Sequence, residues 1–217
     1  MQSKPVTDFM FAELAAVAAL IFSVIGYNEV AGTFSHHMIA HIVLMTVMSP
    51  LLACTIGKCC MPVFRRAGLK SLPAAAALQA VLFFAWHSPP GLAAGQTGVP
   101  VSAMLLFSSL WFWLAIFDQA GARLWEKVAV LLLTGKLFCL YAVLLTFAPR
   151  VLYGEAAFGS AAGIDLADQQ LAGLLMITAC PLTYLLAATV LIYRWFWELC
   201  ESQKETAPPV MASENRS

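Results

Sequence analysis

The chain contains four histidines; His36, His37 and His41 lie close together in one apolar stretch and His87 closes another. On a helix, positions four apart share a face with Cβ atoms about 6 Å apart, so His37 and His41 can hold one ion between them. Two imidazoles make half of a four-ligand site. Met38, His41, Met45 and Met48 follow a 3-4-3 spacing, which draws a second stripe along the same helix that shares His41. Imidazole combined with thioether suits copper, since soft sulfur favours Cu(I) and nitrogen accepts Cu(II) as well. A third ligand has to come from another helix, and His87 is the candidate.

The elements that position these residues follow from composition. Hydrophobic residues make up 61% of the 217 positions and charged residues 11%, against about a quarter charged in a soluble domain. Net charge is zero, which gives no reason to expect a nucleic-acid partner. The bilayer is the expected surroundings, and a bilayer core takes about 20 apolar residues per helix. Six segments meet that criterion: Phe9 to Gly26, Phe34 to Ile56, Leu72 to His87 or a little beyond, Val99 to Phe117, Trp125 to Ala148, and Leu171 to Tyr193. No small-residue cleavage site follows the first before Asn28-Glu29, so it is read as a retained helix rather than a signal peptide. The expected fold is an all-α polytopic transmembrane bundle of about six helices over residues 1–199, with a polar, disordered tail over 200–217.

Basic residues orient the bundle, because cytoplasmic loops are enriched in Lys and Arg. One side collects Lys4, Lys58, Arg65, Arg66, Lys70, Arg123, Lys127, Arg194, Lys204 and Arg216; the other holds Arg150 alone, and Lys136 lies within the fifth span. Both termini are thus expected in the cytoplasm of a multi-pass protein of the plasma (inner) membrane. The second span then runs inward and the third outward, which brings His36, His37, His41 and His87 to one level near the outer face. Met38, Met104, Met176 and Asp168 reach the same level.

Each of these residues also has a plainer use. A histidine near an interface can turn its polar edge to headgroups, which suits His36, and methionine is common filler, so Met45 and Met48 fit core packing as well as ligation. His41 and His87 are read as functional because ionisable groups inside a membrane are costly. Asp168 suits a metal ligand, a partner fixing an imidazole tautomer, or a helix cap, the cap being favoured. Cys54, Cys59, Cys60 and Met61 match no standard zinc spacing and fit a loop or lipid anchor better. Cys54, Cys139 and Cys180 sit in apolar runs, so disulfides are not expected. Gly135, beside Lys136, marks a close helix approach. Glu13 and Lys136 are intramembrane charges without an evident partner.

The stretch Phe34-Ser-His-His-Met-Ile-Ala-His-Ile-Val-Leu-Met-Thr-Val-Met-Ser-Pro resembles the opening signature of the multi-pass CtaG-type cytochrome c oxidase assembly factors, as do Ala85-Trp-His-Ser-Pro and Asp168-Gln-Gln-Leu-Ala-Gly173. The resemblance implies a non-enzymatic role in maturing haem-copper oxidases, with copper supplied to an oxidase subunit at the outer face. It implies metal-site roles for His37, His41 and His87, which match the family's histidines, and for Asp168, which matches its late acidic position. Family members often carry another histidine at the start of the helix after the Trp-His motif; here Val99-Pro-Val-Ser-Ala-Met104 stands there, and Met104 becomes the substitute soft ligand. The competing readings are an electron-transfer protein with bis-histidine haem on His41 and His87, and a metal or small-solute transporter, which would show repeats or broken helices.

Overall fold

Five helices make up the residues that the computed structural model describes, namely 33–54, 71–88, 99–118, 123–153 and 165–206. Helix α1 spans Thr33–Ile42, widens into a π-helical segment over Val43–Met48 and resumes as α-helix to Cys54. Then come α2 (Leu72–Trp86), α3 (Val99–Phe117), α4 (Leu124–Phe147) and α5 (Leu166–Thr206). No strand occurs among the described residues. Phe34–Cys54, Leu124–Phe147 and Leu166–Gln203 are each long and apolar enough to cross a membrane, while Leu72–Trp86 and Ala103–Phe117 are shorter apolar helices. The expected first span, Phe9 to Gly26 with Glu13, and the Cys59-Cys60 pair lie outside the described residues.

Local chemistry sets the helix limits. Ser71 caps α2 by accepting the Ala74 amide at 3.4 Å, with Pro73 just inside the first turn. The helix stops at His87 because Ser88 precedes Pro89, and a residue before proline is pushed out of the α region. At α4, the Arg123 amide donates to Glu126 Oε2 at 3.0 Å, one half of a capping box. The π segment of α1 traces to Pro50. The Ser49 amide bonds back to the Leu44 carbonyl, five residues away, so the next donor in that register would be the N–H that Pro50 lacks. The Met45 carbonyl is left for α3, which supplies Ser109 Oγ at 3.2 Å and Trp113 Nε1 at 3.0 Å.

The helices alternate in direction. Asp168 at the start of α5 bonds to Phe34 and Ser35 at the start of α1, so those two helices run parallel. The end of α2 meets α1 near its beginning, where Trp86 bonds to His41. Tyr153, just past α4, donates to the His87 carbonyl at 2.8 Å, placing the end of α4 at that same level. Lys127 near the start of α4 donates to the Asp118 carbonyl just past α3 at 2.6 Å, so α3 runs with α1 and α5. The core gathers Met38, Phe83, Phe138, Met176 and Tyr184, with the Tyr184 ring stacked on Trp113 at 5.7 Å. Leu133, Leu140 and Phe147 on α4 and Leu174 and Leu185 on α5 face outward, and helices apolar on every side belong in lipid.

Helix α5 departs most from expectation. It begins at Leu166 rather than Leu171 and continues to Thr206, through the first residues of the expected tail. Its 41 residues make about 60 Å of helix, twice the roughly 30 Å hydrocarbon core. Exposed Tyr193, Trp195, Phe196 and Trp197 form the kind of aromatic belt found where a helix leaves the hydrocarbon.

Candidate metal centre

His37 and His41 stand one turn apart on α1, and His87 caps the end of α2. Their ligating nitrogens lie within 4.8 Å of one another, with His41 and His87 buried and His37 half-buried. Ring centroids are 4.3 Å apart for His37 and His41, 5.5 Å for His41 and His87, and 6.3 Å for His37 and His87. The expected convergence of two helix ends is therefore present, with His87 level with His41.

Hydrogen bonds fix how the imidazoles face. Nδ1–H of His87 donates to the Phe83 carbonyl at 2.7 Å, which leaves the Nε2 lone pair of the neutral ring directed inward. That Nε2 is buried and has no hydrogen-bond partner. His41 Nε2 lies 2.9 Å from His37 Nε2 and accepts the Trp86 indole N–H at 3.0 Å, so its lone pair is engaged by Trp86 and becomes available to an ion only when that bond is given up. Tyr141 and Tyr153 share a short hydroxyl hydrogen bond, and Tyr153 reaches on to the His87 carbonyl. The backbone at the end of α2 is thereby tied to α4. An orphaned, fully buried nitrogen costs free energy unless something occupies its lone pair, and three convergent imidazole nitrogens fit a borderline or soft transition-metal ion.

The other candidates divide. Met38 is buried beside His41, where both line one small cavity. Met104 presents a side chain that is 53% exposed on α3 and does not line that cavity; His36 is exposed. Asp168 stands apart from the three-histidine group. Its carboxylate accepts the Phe34 amide at 2.9 Å, the Ser35 amide at 3.1 Å and the Ser35 hydroxyl. It thus caps the first turn of α1 from another helix, where an anion also meets the positive end of the helix dipole. Gln169 beside it ties the α4–α5 turn, accepting from the Leu152 amide at 2.7 Å and donating to the Leu145 carbonyl at 3.3 Å. Asp168→Ala should therefore lower stability by about 2 kcal/mol, the scale of a lost cap plus a stranded amide. A melting temperature in detergent equal to wild type would remove that role.

Trp86, Tyr141 and Tyr153 join the site from the structure alone. For Trp86 a signal existed, since it directly precedes His87 in the quoted motif; for the tyrosines none did, because their link joins α4 to the turn after it and then to α2.

Residues 6–198 match the family model described as cytochrome c oxidase caa3 assembly factor (Caa3_CtaG). The chain belongs to that family. The match takes in all five described helices up to Glu198 of α5, so the histidine group and the Asp168 cap are features of a cytochrome c oxidase assembly factor. No match is found among curated proteins or solved structures.

Proposed function

We propose that this assembly factor is a non-enzymatic, multi-pass plasma-membrane protein that binds copper through His37, His41 and His87 at the outer face and presents it to a haem-copper oxidase subunit. The observation that carries the reading is the buried, unpartnered Nε2 of His87, aimed at two further imidazoles within 4.8 Å. A copper ion would accept the lone pair of His87 Nε2, whose ring the Phe83 carbonyl orients, and His41 would join once its Nε2 exchanges the Trp86 indole N–H for the ion. Asp168 serves as a positioning residue, holding the start of the helix that carries two of the three histidines.

Metal analysis of the detergent-purified full chain should find bound copper, and oxidase activity in a strain carrying only His41→Ala should fall while the protein stays inserted. Copper-free protein, together with wild-type oxidase activity in the variant under copper limitation, would overturn the reading. An intense Soret band would instead restore the bis-histidine haem alternative.

The orientation rests on the ten-to-one asymmetry of basic residues. A topology reporter fused after Ala67 should read as cytoplasmic and one fused within residues 88–98 as external. The reverse pattern would move the histidine group to the cytoplasmic side.

A further inference from the structure

Beside the imidazole group lies a second set of ligands of different chemistry. A cavity of about 10 Å³, close to what one water molecule needs, is lined by Met38, His41 and Met45 from α1 and by Met176 and Cys180 from α5, with aromatic walls from α2 and α4. All five of those residues are buried. Met176 and Cys180 are four apart and project from one face of α5, while Met38 and Met45, on either side of the start of the π-helical segment at Val43, both reach the cavity. Half of the eight lining residues carry sulfur, drawn from nine methionines and six cysteines in 217 residues.

Ordinary packing explains such a place poorly. Methionine is the side chain that most readily bends to fill an irregular gap, and close-packed interiors leave few voids of water size. A void kept open among three methionines, a cysteine and an imidazole is matched instead to an occupant that soft sulfur holds. We infer that this cavity is a distinct site for a monovalent soft ion, Cu(I), held by the thioether sulfurs of Met38, Met45 and Met176 next to His41, with the Cys180 thiol in its wall. Thioether-rich surroundings select Cu(I) over the divalent ions that imidazole also accepts. His41 belongs to both sets, so the sulfur site adjoins the imidazole group and lies further along α1. The inference rests on the copper reading above but stands on different residues.

The test is anaerobic Cu(I) titration of the detergent-purified full chain against a chromophoric Cu(I) chelator. Wild type should bind two equivalents, Met45→Leu/Met176→Leu one fewer, and His37→Ala/His87→Ala one fewer by a separate loss. Leucine keeps the apolar volume and removes only the sulfur. If Met45→Leu/Met176→Leu keeps the wild-type stoichiometry, the sulfur site is wrong whatever the histidine variant does. If only the histidine variant keeps it, the imidazole reading fails alone and the sulfur site stands. X-ray absorption of wild type loaded with Ag(I) decides the matter without any variant: sulfur neighbours support the site, and a shell of nitrogen alone overturns it.

Discussion

His87→Ala should weaken copper binding by more than about 100-fold, beyond the 10–100-fold that loss of an outer hydrogen-bond partner to a ligand costs. The variant removes the one candidate ligand nitrogen of the three that is buried and has no hydrogen-bond partner. The helix itself should survive, because His87 is the cap of α2 rather than part of its interior and its backbone amide still reaches the Phe83 carbonyl. Adding His37→Ala should cost little more, since a site already short of a ligand has little left to lose, whereas independent positions would add. Competition with a copper chelator at fixed pH measures both. Additive losses, or copper retained by His87→Ala, would dissolve the shared site.

Gly173→Ala should be far more disruptive than Gly135→Ala, costing about 3 kcal/mol. A Cβ at Gly173 would meet the Thr146 amide nitrogen at 2.8 Å and the Ala142 carbonyl oxygen at 2.9 Å. Both are backbone atoms of α4 and cannot rotate away, so the helices must part along their whole contact. Gly135 is the internal control. Its Cβ would meet the Tyr184 side chain at 3.4 Å, an ordinary contact, and alanine there restores helix propensity worth about 1 kcal/mol. Gly135→Ala should melt in detergent at or above the wild-type temperature and Gly173→Ala well below it. Equal melting temperatures for Gly173→Ala and wild type would mean that α4 and α5 are not in close contact there.

Helical periodicity makes much of this legible in the sequence. The four-residue spacing of His37 and His41 puts them on one face, and the opposite directions of successive spans bring His87, at the end of the next one, to their level. What escaped reading were features made between helices. Pro50 falls inside one continuous expected span, because the effect of its missing N–H depends on whether another helix offers donors to the Met45 carbonyl, and Ser109 and Trp113 do. Met104 is a soft-ligand candidate by its level and by its place where the family often has a histidine, but both leave rotation about the helix axis open, and the side chain is 53% exposed. Asp168 was favoured as a cap; which helix it caps depends on α1 and α5 being parallel neighbours.

That cap also sets a timetable. Phe34 and the carboxylate that receives its amide are 134 residues apart. At the usual synthesis rate, about 7 to 27 s separate the emergence of the two from the ribosome. Throughout that interval the first turn of α1 has its free amides served by water or headgroups, and His37 and His41 stand on a helix whose end is not yet anchored. The anchored form of the histidine-bearing helix is consequently among the last things the growing chain completes, and a chain interrupted before its final helix would carry three of the histidines' ligating nitrogens without the residue that seats two of them.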